Sequence, residues 1–146
     1  MNKVSLSYDD VEQASLQLAE KIQRANLVSS NTELVSISRG GLFIAGILSY
    51  KLGLNKVHNV SLASYTSKPL DAHEQVKCLT PFLSGADLSK TFLFLDDIND
   101  TSQTYRFILN YTKELGVDMY FGTAYHKLRD DNKLPDFAGQ EVAGDC

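Results

Sequence analysis

The segment Phe92–Tyr105, FLFLDDINDTSQTY, places acids, hydroxyls and a helix start directly after an apolar run. Asp96 and Asp97 are paired carboxylates able to accept hydrogen bonds from ligand hydroxyls or to share a cation. Asp100, Thr101, Ser102, Gln103 and Thr104 follow as a polar loop, and such a loop at a helix N-terminus can hold an anion. Phe92 to Leu95 reads as a strand buried on both faces, the pattern of a central parallel strand, and ligands of α/β sheets sit at the carboxyl ends of such strands. Asp, Asn, Ser and Thr are also common helix caps, so solvated acids followed by a cap is the bland alternative.

The surrounding elements set where these groups lie. Ser7 and Asp10 form an S-x-x-D capping box, and Val11, Ala14, Leu18 and Ile22 follow at helical spacing, which predicts a helix over about Tyr8–Arg24. Leu34 to Ile37 reads as a short strand ending at Ser38-Arg39-Gly40-Gly41. Leu42, Ala45, Leu48 and Leu52 then make a helical stripe closed by Gly53. Val57 to Ser64 reads as a strand, and Tyr65 to Lys77, polar and without a period, as a long loop of the kind that serves as a lid. Tyr105, Ile108, Leu109, Thr112 and Leu115 give a helical face ended by Gly116, with a further strand at Met119–Tyr125. Strands alternating with helices predict an α/β fold with a mostly parallel twisted sheet and helices on both faces.

Composition narrows the function classes. The 146 residues, 43% hydrophobic and 22% charged, are expected to form one domain over 1–146. No apolar run approaches the roughly 20 residues that span a bilayer, and the N-terminus lacks a signal pattern, so no membrane association and a cytoplasmic location are expected. A net charge of -4 argues against nucleic acid as partner. Cys78 and Cys146 read as free thiols.

LFLDDINDTSQT resembles the phosphoribosyl-pyrophosphate signature of type I phosphoribosyltransferases: an apolar strand, two acids, two variable residues, Asp, Thr-Gly, one residue, Thr. Two further marks agree with it. Ser38-Arg39-Gly40-Gly41 resembles the pyrophosphate loop of purine members, where a cis peptide often falls at the position of Ser38–Arg39, and Ser64-Tyr65 resembles the pair that opens their flexible hood loop. The resemblance covers roughly residues 4–129, including the N-terminal VSLSYDDVEQASLQLAEKI, which is similar to xanthine-guanine and hypoxanthine-guanine enzymes.

The resemblance implies transfer of 5-phosphoribose from phosphoribosyl pyrophosphate to a 6-oxopurine, with Mg2+ as cofactor, in purine salvage. It assigns Asp96 and Asp97 to the ribose and the metal, Thr101, Ser102, Gln103 and Thr104 to the 5'-phosphate, and Ser38, Arg39 and Gly40 to pyrophosphate. Ser64 and Tyr65 go to the lid, Asp100 to the purine as general base, and Lys127 to the exocyclic oxygen of the base. His126 either faces the site or is structural.

Two departures stand out. Ser102 occupies a position that is nearly always Gly, which predicts a less tightly curled phosphate loop. The aromatic that stacks on the base is missing as well, since the chain has no Trp; it lies beyond Cys146, or Tyr125 or Phe137 takes its place. A homo-oligomer, dimer or tetramer, is implied. The rival readings are a non-catalytic nucleotide-binding or regulatory protein on the same fold, and a transferase for another base such as a pyrimidine.

Overall fold

A computed structural model describes residues 6–65 and 75–144. Helix α1 (Tyr8–Arg24) starts at the expected capping box: the Ser7 hydroxyl accepts the Asp10 N–H at 3.1 Å and the Asp10 carboxylate accepts the Ser7 N–H at 2.9 Å. Strand β1 (Thr32–Ser38) and helix α2 (Gly40–Leu52) follow, α2 being closed by Gly53 in the left-handed conformation. Next come β2 (Val57–Tyr65), β3 (Gln75–Cys78), β4 (Thr91–Asn99), α3 (Gln103–Leu115), β5 (Asp118–Leu128) and β6 (Phe137–Ala143). Among the described residues no helix is long and apolar enough to cross a membrane.

The six strands form one sheet in the order β3-β2-β1-β4-β5-β6, parallel throughout except for β3, which runs antiparallel to β2. The apolar run of β4 shows why this sheet is buried twice. Successive side chains of a strand point to opposite faces, so Leu93 and Leu95 join Leu18, Ile22, Ile44 and Leu48 under α1 and α2. Phe92 and Phe94 pack with Val35, Tyr105, Ile108 and Phe121 under α3. Each fully buried side chain of this size contributes about 1.5–3 kcal/mol of transfer free energy.

Four expectations are corrected. Tyr65–Lys77 is not loop throughout, because Gln75–Cys78 pairs with β2 in the register Leu62↔Cys78 and Ser64↔Val76. Four residues are too few to display a period, and the strand exists through the free edge of β2; residues 66–74 lie outside the described residues. Strand β4 does not stop with the apolar run at Leu95 but continues to Asn99, so Asp96 and Asp97 lie within its carboxyl end rather than directly after it. Strand β5 runs to Leu128, which puts Lys127 inside it. Strand β6, unexpected from FAGQEVA, joins β5 in parallel at Gly122↔Phe137.

Candidate functional site

The turn after β1 is drawn onto the end of β4 by two glycines. A Cβ on Gly41 would lie 2.2 Å from the Leu95 carbonyl oxygen, and one on Gly40 would lie 2.4 Å from the Asp97 carboxyl carbon. Only residues without a side chain let the backbone approach this closely. SRGG and the acid pair, distant in sequence, therefore meet. The Ser38–Arg39 peptide is cis, as the resemblance implied. Ser38 is held from the neighbouring strand, where the Asn59 side-chain oxygen accepts from the hydroxyls of both Ser36, at 2.7 Å, and Ser38. The Arg39 side chain is exposed and borders an open recess of about 940 Å³ shared with Ser38, Ser61 and Leu79.

At the acid pair, the Asp96 carboxylate accepts the Asp97 N–H and the Asp97 carboxylate accepts the Ile98 N–H, both at 2.8 Å. Burial, reinforced by the adjacent Asp97, pushes the Asp96 carboxyl well above the usual carboxylate range. Among the described residues, no Lys or Arg forms an ion pair with either acid. Two neighbouring carboxylates without a protein counter-charge suit a cation or a set of hydroxyl donors. A recess of about 80 Å³ is walled by Ser38, Arg39, Gly40, Asp96, Thr104 and residues of β2 and β3, joining the SRGG turn to the segment from the acid pair to Thr104.

The loop Asp100–Thr104 curls around a recess of about 90 Å³ whose wall includes Asp100, Thr101, Ser102, Gln103 and Thr104. Ser102 takes φ 68° and ψ 16°, the left-handed conformation of glycine, so the predicted loosening does not occur. Its side chain explains why. The hydroxyl is buried, accepts the Lys133 N–H at 2.8 Å, and lies 3.0 Å from the Asn99 side-chain oxygen.

The Asp100 carboxylate accepts from Arg129 Nη1 at 2.9 Å and faces Lys127 Nζ at 3.4 Å. Lys127 and Asp100 are thus brought together. Arg129 and Asn132, whose side-chain amide donates to the Asp100 carbonyl at 2.7 Å, were missed by sequence reasoning. Their only signal is the polar run RDDN after β5. His126 is structural: it is buried, with Nδ1 accepting from the Asn99 amide at 3.0 Å. Tyr125 belongs to the core on the α1 side of the sheet, and Phe137 is half-buried against the same cluster. Ser64 and Tyr65 end β2 beside β3, and their side chains lie outside the described residues.

Comparison with known proteins adds likenesses in sequence and in fold. No protein-family model matches the chain. Xanthine-guanine phosphoribosyltransferase of Gluconobacter oxydans is 33% identical over 94 residues, which are 64% of this chain and 52% of that protein, so the chain spans about half the length of this relative. A hypothetical protein from Neisseria gonorrhoeae with bound ppGpp superposes with a TM-score of 0.78 at 26% identity, over 97% of this chain and 84% of that one. Purine phosphoribosyltransferase from Pyrococcus horikoshii gives 0.77 at 24% identity, over 97% and 89%. With the strand order, the cis turn and the acid pair already in place, these likenesses give the chain the type I phosphoribosyltransferase fold, with similarity to purine-branch enzymes that carry it.

Proposed function

We propose that the protein is a phosphoribosyltransferase that moves 5-phosphoribose from phosphoribosyl pyrophosphate to a ring nitrogen of hypoxanthine, guanine or xanthine. One observation carries the reading: Gly40 sits so close to Asp97 that the pyrophosphate turn and the ribose acids form one cleft. In the reaction the base nitrogen bonds to the anomeric carbon, the bond from that carbon to pyrophosphate oxygen breaks, and the bonding pair leaves with pyrophosphate. Asp96 and Asp97 orient the ribose hydroxyls and stabilise the positive charge that develops on the sugar. Arg39 and the Ser38–Gly40 backbone hold the departing anion, and Thr101, Ser102, Gln103 and Thr104 hold the 5'-phosphate.

Asp100 takes the proton released by the base, and Lys127 donates to its exocyclic oxygen. Ser64 and Tyr65 begin the lid that keeps water from the reacting carbon.

The acid pair fits Mg2+, which is bound in such enzymes by one or two carboxylates plus substrate phosphates and so needs no larger protein cluster; among the described residues none exists. When bound, the metal neutralises pyrophosphate as a leaving group. This reading takes 1–146 as one domain acting in the cytoplasm in purine salvage, as a homo-oligomer. The exposed Leu42, Phe43 and Tyr50 on α2 support association.

The test is pyrophosphate release with Mg2+ and donor over a panel of purines; no release with any of the three bases overturns the proposal. A second reading, a non-catalytic nucleotide-binding or regulatory protein, is favoured by the 2.9 Å ion pair that occupies Asp100, since a carboxylate engaged by Arg129 is not free to turn toward a base. It predicts calorimetric binding of nucleotide without turnover, with Asp100→Ala changing little.

A further inference from the structure

The loop read as the phosphate cradle is stitched to the chain segment 129–136, which crosses from β5 to β6. Lys133 is gripped at both main-chain groups: its N–H donates to the Ser102 hydroxyl at 2.8 Å and its carbonyl accepts from the Asn99 amide at 2.7 Å. The Asn132 amide donates to the Asp100 carbonyl at 2.7 Å and to the Lys127 carbonyl at 2.8 Å. Arg106 joins the Thr101 and Asp131 carbonyls, at 3.2 Å and 3.0 Å. Three consecutive crossover residues are thus tied to the loop and to the start of α3.

We propose that Ser102 is a positioning residue, a latch through which occupancy of the phosphate loop and of the base side of the cleft are coupled. This rests on reading the loop as the donor phosphate site. Ser102 holds a left-handed conformation that glycine adopts freely and a residue with a Cβ adopts at a cost. Its hydroxyl offsets that cost by bonding to the crossover, and it is buried with Asn99 and His126 in one polar network. Hydrogen-bond networks of this kind are among the structures that carry coupling between sites.

At the other end of the crossover, Arg129 grips Asp100. Arg129, which pairs with Asp100, also lines a recess of about 390 Å³ with Asn132, Leu134, His126 and Leu128. Closing the loop on a phosphate therefore sets the position of Arg129 and Asn132, and with them the carboxylate that faces the base. A glycine at position 102 would permit the turn without the tie.

The test uses the full chain with Ser102→Gly, which keeps the turn comfortable, and Ser102→Ala, which keeps the strain but removes the hydroxyl. Amide exchange at Lys133 should accelerate in both variants. Calorimetry with the magnesium complex of phosphoribosyl pyrophosphate, in the absence and presence of saturating guanine, gives the ratio of donor affinities. The expected coupling is about tenfold in the wild type, falling to about one in both variants. A uniform weakening of the site leaves that ratio unmoved, so it separates the latch from a merely structural role.

Donor and guanine both bound by the wild type, with an unchanged ratio in Ser102→Gly, overturns the latch and leaves the proposed reaction standing. Unchanged Lys133 exchange in both variants does the same. Failure of the wild type to bind donor at all overturns the phosphoribosyl reading and the coupling with it.

Discussion

Asp96 is the residue at which the proposed function conflicts with stability. Its carboxyl is raised by burial and by Asp97, so the folded state prefers it protonated. The sign follows from linkage: a group with a raised folded pKa contributes stability that is full below its unfolded value, about 3.9, and is lost as pH rises through the folded value. Ionising this carboxyl in the folded state is therefore a liability that the fold tolerates, and Asp96→Asn should remove it. The variant is expected to melt above the wild type at pH 8, with the gap closing as pH is lowered toward 4, and to lose transfer activity. Calorimetric melting across that range checks it; a gap that does not change with pH would show that charge burial is not the cause. The acid pair was legible in the sequence because two carboxylates after a wholly apolar strand have little structural use. Arg129 and Asn132 were not, because their meeting with Asp100 depends on how the 129–136 crossover returns to the sheet.

At the scale of elements, β6 is held in place by a glycine. A Cβ on Gly139 would lie 2.1 Å from the Ala14 carbonyl oxygen of α1 and 2.8 Å from the Ala124 carbonyl oxygen of β5. Lys21 of α1 adds a bond to the Ala138 carbonyl at 2.7 Å. Since both obstacles are backbone, Gly139→Ala must move an element, and overpacking of this kind costs about 1–3 kcal/mol. Gly46, in α2, has nothing within 4 Å of its would-be Cβ, so Gly46→Ala should instead stabilise by about 0.5–1 kcal/mol through helix propensity. Chemical denaturation of the two variants checks the pair; equal effects would contradict the packing account.

The contrast also explains what sequence reasoning could see of the elements. Helix α1 announces itself through Ser7, Asp10 and the spacing of Ala14, Leu18 and Ile22, all local signals. FAGQEVA and QVKC carry no such pattern, because β6 and β3 become strands by bonding to the edges of β5 and β2.

Across the whole molecule, the strand order places the cleft. From β1 the chain passes through α2 to β2 on one side, whereas from β4 it passes through α3 to β5 on the other, so the order β3-β2-β1-β4-β5-β6 reverses between β1 and β4. Open α/β sheets bind ligands at such a reversal, beyond the carboxyl ends of the two diverging strands. Here those ends carry the Ser38–Arg39 turn and the Asp96–Asp97 pair, and no residue in either motif dictates that β1 and β4 be neighbours; the pairing Leu34↔Leu93 does. A ligand in this crevice touches both halves of the sheet, so it should stabilise the fold as a unit rather than one loop. With Mg2+ present, donor at 100 times its Kd adds about 2.7 kcal/mol to the unfolding free energy. For a chain of this size that is a rise in Tm of roughly 5–10 °C. Asp97→Asn, which leaves Gly40 its space but removes a charge from the pair, should lose most of the rise at the same donor concentration. A wild-type Tm that is indifferent to donor and Mg2+ together, or a shift equal in the two proteins, would mean that the crevice between β1 and β4 is not where the donor binds.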